Sequence, residues 1–69
     1  MRKNAKLPRV LGKKIQKRRK EMGFTQEDVA DKAGISRAYM GYIEQGRNAP
    51  SLEILEKIAR ILKISINIP

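Results

Sequence analysis

The chain has 69 residues, with 16 Lys/Arg against 7 Asp/Glu, a formal charge of +9, and neither cysteine nor histidine. That length accommodates one domain with a limited apolar core. The composition excludes disulfides, thiolate and imidazole metal sites and histidine general bases, and no run approaches the ~18 apolar residues of a membrane span.

The charge is unevenly placed. Residues 1–20 hold ten Lys/Arg and no acid, whereas residues 21–69 hold six Lys/Arg and seven acids. Such asymmetry points to a polyanionic partner, with a solubilising charge run as the plainer alternative. The basic start has no apolar core behind it, so it does not read as a secretory signal, and a cytoplasmic protein is expected.

Residues 1–8 read as a flexible basic arm ending at Pro8. From Arg9 a helical period begins, with Leu11, Ile15 and Met22 on one stripe; position 18 completes that stripe but carries Arg18. Gly23 is placed to end this helix. Thr25 caps a second helix, with Asp28 three residues on to complete a capping box and Phe24 and Val29 as a hydrophobic staple. Gly34 ends it in a left-handed turn.

Ser36 caps a third helix two residues later, and Ile35 and Met40 repeat the staple. At ~100° per residue, Ser36, Met40 and Ile43 share the inner face, with Glu44 beside it. Ala38, Gly41, Tyr42 and Gln45 lie opposite, with Arg37 and Tyr39 on the flanks. Gly46 stops the helix. Ser51 caps a fourth, where Leu52, Leu55, Ile58, Ala59 and Leu62 form an apolar stripe widened by Ile54 and Ile61. In the tail, Ile64, Ile66 and Ile68 alternate with polar residues, as in a strand or an extended segment.

Two short helices joined at a glycine, the second of them exposed, make a helix-turn-helix. Ala30 and Gly34 are expected where the two helices approach closely. An exposed helix with small and adaptable outward side chains suits the DNA major groove, where Gly41 and Ala38 would let the backbone near the base edges.

The run "TQEDVADKAGISRAYMGYIEQGRNAPSLEILEKIARIL" resembles the Cro/C1-type (XRE) helix-turn-helix domain of phage repressors and bacterial regulators, over roughly residues 9–64. The "TQ" opening the second helix, Ala30, Gly34, Ser36 and the "IEQG" ending the third recur in register. The resemblance implies an all-α, lambda-repressor-like bundle of four or five short helices over 9–64, with helix 36–45 in the major groove; the alternating isoleucines, not the resemblance, give the C-terminal extended tail over 65–69.

It also implies roles. Arg37, Ala38, Gly41 and Tyr42 match positions that meet base edges. Gln26 matches a glutamine that binds a backbone phosphate; Tyr39, Arg47 and Asn48 match positions near phosphates, and Lys6 and Arg9 would add phosphate contacts from the arm and first helix. Each has a plainer alternative: a helix-start residue for Gln26, a part-core aromatic for Tyr39, a surface aromatic for Tyr42, a solvated cation for Arg47. Arg19 and Glu44 match a structural pair, although Arg18, where the family usually has leucine, leaves open which arginine meets Glu44.

The function expected is sequence-specific transcriptional regulation, as a repressor binding double-stranded DNA as a homodimer, at the nucleoid and without a cofactor. The alternating tail is a candidate dimer strand. The alternative is an antitoxin-type module that also holds a protein partner, a toxin or another regulator. A peripheral membrane role is disfavoured by the lack of Trp, and an enzyme is the least favoured reading.

Overall fold

The structure, a computed structural model, describes residues 6–47 and 49–65, with side chains from Pro8 onward. Four helices follow in order: α1 (Lys6–Glu21), α2 (Gln26–Ala33), α3 (Arg37–Glu44) and α4 (Leu52–Leu62). No strand occurs among the described residues. The expectations for residues 1–5, for Asn48, for the Lys6 side chain and for the tail beyond Ser65 lie outside them.

Local chemistry sets the starts of three helices. The Thr25 hydroxyl accepts from the Asp28 N–H at 3.0 Å, and the Asp28 carboxylate accepts from the Thr25 N–H at 2.8 Å, completing the capping box. Ser36 accepts from the Tyr39 N–H and Ser51 from the Ile54 N–H. The first helix starts earlier than Arg9: α1 includes Pro8 in its first turn. A proline costs nothing there, because the first amides of a helix have no partner within it.

All four helices end alike. Phe24, Ile35, Arg47 and Ile64 donate their N–H groups to the carbonyls of Arg19, Ala30, Tyr42 and Ala59, five residues back. The preceding residue is left-handed each time: Gly23, Gly34, Gly46 and Lys63. This paired-bond ending satisfies the last carbonyls and turns the chain sharply. Lys63 is the one side-chain-bearing residue among the four, at φ 55°.

The core is built from Ile15 of α1, Val29, Ala30 and Ala33 of α2, Met40 and Ile43 of α3, and Leu55, Ile58 and Leu62 of α4. Both α3 and α4 pack against α1 and α2. Leu11, Met22, Phe24 and Ile35 are half-buried against this cluster.

Two further expectations need correction. Leu52 does not join the buried stripe; it is 56% exposed, because Leu55, Ile58 and Leu62 centre the buried arc and Leu52 falls on its edge with Ala59. Gly34 is not a point of close approach, since a methyl group there would meet nothing within 4 Å; its φ of 73° is the reason for glycine. Ala30, by contrast, is fully enclosed.

The arginine left open in α1 is Arg19, which pairs with Glu44. Arg18 lies on the stripe but does not face Glu44: its Nε donates to the Leu62 carbonyl at 2.9 Å and its Nη1 to Glu21 at 3.4 Å. It thus satisfies an end carbonyl of α4, where a leucine would only pack. The close approach lies at Gly12, which the sequence reading passed over. A methyl group there would stand 2.5 Å from the carbonyl oxygens of both Ile43 and Glu44.

Candidate nucleic-acid interface

The outward face of α3 is as the helical period predicts. Arg37, Ala38, Tyr42 and Gln45 are exposed, Gly41 is half-buried, and Met40, Ile43 and Glu44 are buried. Tyr39 on the flank is half-buried against the core, so part of its ring is structural.

What holds this helix in place is a charge cluster behind it. Arg19 Nε donates to Glu44 Oε2 at 2.6 Å and Nη2 to Oε1 at 3.1 Å, a two-pronged pairing between buried residues. The third guanidinium nitrogen, Nη1, donates to the Phe24 carbonyl at 2.8 Å. One side chain of α1 therefore ties down both α3 and the turn before α2. No buried side-chain nitrogen or oxygen among the described residues lacks a partner, which is the condition for an enclosed ion pair to persist.

Gln26, the first residue of α2, extends this cluster to the surface. Its Nε2 donates to Glu44 Oε1 at 3.0 Å, and its Oε1 accepts from Arg37 Nη1 at 3.4 Å. A methyl group on Gly41 would stand 3.7 Å from Gln26 Oε1, so the amide lies across that glycine at ordinary contact distance. Space for Gln26 does not by itself require a glycine at 41.

At the far end of α3, Gly46 turns at φ 75°, and a methyl group there would come within 2.9 Å of the Arg9 backbone. Arg9 thus sits against the turn that ends α3. The Arg47 guanidinium lies over the Tyr42 ring, 4.7 Å from its centroid.

The structure therefore brings Gln26, Arg37 and Gly41 into one contact set and Tyr42 and Arg47 into another, at the two ends of one exposed helix face. The ion pairs among the described residues are Arg18–Glu21 and Arg19–Glu44. Sequence reasoning missed Gly12 and Arg18's contact with α4. An isolated glycine inside a helical period, at a cost of ~1 kcal/mol against alanine, was the available signal for the first.

On α2, the Thr25 backbone N–H, and after it the Thr25 hydroxyl, hold the Asp28 carboxyl below its ordinary value, with a smaller contribution from Lys32. No group of three or more His, Cys, Asp or Glu residues that could hold a metal occurs among the described residues, and no described helix is long and apolar enough to cross a membrane.

Comparison with known proteins supports the helix-turn-helix fold. The helix-turn-helix family matches residues 15–68. The HTH-type transcriptional regulator SinR of Bacillus subtilis is 34% identical over 59 residues, covering 84% of this chain and 53% of its own length. The immunity repressor protein of Bacillus phage phi105 is 42% identical over 57 residues, covering 83% of this chain and 40% of its own. This chain thus spans about half the length of these curated relatives or less. Among solved structures, the restriction-modification controller protein C.AhdI from Aeromonas hydrophila superposes with a TM-score of 0.79 at 31% identity, covering 84% of this chain and 88% of that one.

Proposed function

The chain belongs to the helix-turn-helix family, and from that membership we propose that it is a sequence-specific transcriptional repressor that lays α3 in the major groove of double-stranded DNA. The observation that carries this reading is an exposed helix face on a rigidly held helix. Arg37, Ala38 and Tyr42 face outward, while Glu44 behind them is locked to Arg19 and Gln26. Base reading requires that rigidity, because each hydrogen bond to a base edge has a narrow range of productive geometry.

In this reading Arg37, Ala38, Gly41 and Tyr42 meet base edges. Gln26 and Arg9 meet phosphates, with Tyr39 and Arg47 beside them. A helix N-terminus presents unpaired amides to a phosphate, and Gln26 stands at that end of α2. The ten cations of residues 1–20 supply sequence-independent, salt-sensitive affinity. Repression is the reading favoured by likeness to the phage immunity repressor.

The protein acts as a homodimer on an inverted repeat, with half-sites about one helical turn, ~34 Å, apart. Support for self-association comes from α4. Leu52 is exposed beside a groove lined also by Leu55, Ala59 and Ile64, with Glu56 and the cations Arg60 and Lys63 at its rim. An apolar centre with both signs of charge at its rim is the kind of surface that can meet its own copy across a two-fold axis.

Selection of bound duplexes from a random DNA pool, with the whole chain at near-physiological salt, tests the reading. An inverted repeat is the expected product, and its spacing gives the dimer geometry. Steeply salt-dependent binding with no enriched sequence would overturn it.

A further inference from the structure

The end of α3 returns a charged side chain onto the outward face of that helix. The Gly46 N–H donates to the Ile43 carbonyl at 3.1 Å and the Arg47 N–H to the Tyr42 carbonyl at 2.9 Å. This bond pair folds the chain back so that residue 47 lies beside residue 42, where such endings ordinarily place an apolar contact. Here the contact is a guanidinium 4.7 Å from the ring centre of Tyr42, a residue 39% exposed.

The turn that makes this contact has no slack. A side chain at 46 would be strained at φ 75° and would also run into Arg9, with 2.7 Å to its Cγ and 2.8 Å to its Cα. The α1 helix therefore backs the turn from behind, and the position of Arg47 is set by packing. A cation over the ring face is attracted by the ring quadrupole, and a planar guanidinium stacks there while keeping its N–H donors free at its edge.

We propose that Arg47 is a specificity-determining residue that acts through Tyr42, holding the ring in one orientation so that its open face and hydroxyl address one base pair. An unsupported tyrosine on a helix surface rotates among several side-chain orientations and discriminates poorly. With one face covered by Arg47, the ring presents its other face to a thymine methyl or its hydroxyl to a base edge. The inference rests on the DNA-binding reading above. It differs from that reading in giving Arg47 a role in base choice, where a phosphate contact contributes equally on every sequence.

The test uses the whole chain and the duplex selected from the random pool. Tyr42→Ala identifies the base pair that Tyr42 discriminates. Arg47→Lys, which keeps the charge but loses the planar face, is expected to reduce discrimination at that same base pair roughly three- to tenfold while leaving the salt dependence unchanged. Arg47→Ala is expected to reduce discrimination at that base pair at least as much, and neither change should reduce it further in a Tyr42→Ala background. In the free protein, the Arg47 δ-methylene protons should be shifted upfield by the ring and return to ordinary positions in Tyr42→Ala.

Uniform weakening on all duplexes by Arg47→Ala, with rescue by Arg47→Lys and unchanged discrimination, would overturn the inference alone and leave Arg47 a phosphate contact. Unshifted Arg47 protons in the wild-type free protein would also overturn it alone. A wild-type chain that selects no sequence would overturn the DNA reading, and this inference with it.

Discussion

Gly12 of α1 meets Glu44 of α3 backbone to backbone, so closely that a methyl group on Gly12 would lie 2.5 Å from the Glu44 carbonyl oxygen. The same Glu44 sends its side chain to Arg19, seven residues further along α1. The helix that faces outward is thus gripped twice by α1, once through its backbone and once through a carboxylate. Gly12→Ala gains ~1 kcal/mol in helix propensity but forces backbone apart, at a cost of about 1–3 kcal/mol or more. Denaturant unfolding should show net destabilisation, and a stabilised variant would mean that the two helices are not in contact there.

Removing one partner of the enclosed ion pair strands the other. Glu44→Ala leaves the Arg19 guanidinium and the Gln26 amide without their shared acceptor, and should cost about 3–5 kcal/mol. Arg18→Ala should cost much less, because Arg18 is part-exposed and its best contact is one carbonyl. Comparable losses in unfolding experiments on the two variants would contradict the assignment of Arg19 as the partner.

The capping box makes a pH-dependent contribution. The Asp28 carboxyl titrates below its ordinary 3.8 when folded, since its charged form accepts from the Thr25 N–H and hydroxyl. A depressed folded value means that the stabilisation is fully present above pH ~4 and is lost as pH falls through the folded value. Carbon-detected titration should place the Asp28 midpoint below 3.8, and Thr25→Ala should move it back up.

The left-handed endings of α2 and α4 respond in opposite directions to changes in side chain. Lys63→Gly relieves a side chain held at φ 55° and should stabilise the protein by roughly 1 kcal/mol. Gly34→Ala should destabilise by about 1–2 kcal/mol from backbone strain alone, because nothing lies within 4 Å of the added methyl. A much larger loss at Gly34, read by thermal unfolding, would restore close approach as the reason for that glycine.

Self-association through α4 predicts that Leu52→Glu, an exposed change in the first turn of that helix, leaves the fold intact while weakening the dimer. Sedimentation should shift from dimer toward monomer at a given concentration, and binding to an inverted repeat should lose its cooperativity. A Leu52→Glu chain that sediments as the wild type would move the two-fold contact elsewhere, the alternating tail being the first candidate.

The helix starts at Thr25, Ser36 and Ser51 were legible in the sequence, as were the turns at Gly23, Gly34 and Gly46 and the division of α3 into inner and outer faces. Each of these depends on hydrogen bonds or periodicity spanning no more than about five residues, so the local order of side chains is sufficient. The resemblance to Cro/C1-type domains adds the register behind the proposal that Arg37, Ala38 and Tyr42, which face outward, meet base edges.

Other features became visible only with the helices packed. Arg18 and Arg19 are chemically identical neighbours, and only the rotation of α1 within the bundle sends one to Leu62 and the other to Glu44, 44 and 25 residues away. Leu52 looked like core because its spacing fits the stripe; the arc of α4 that faces α1 and α2 is narrower than its apolar arc. Nothing local explains Gly12; the carbonyls of α3 packed against it do. Composition and local periodicity dictated which segments are helical and which face of α3 turns outward. Tertiary packing decided which arginine anchors that helix and which apolar side chains stay in water, because those outcomes depend on distances between segments that no local pattern encodes.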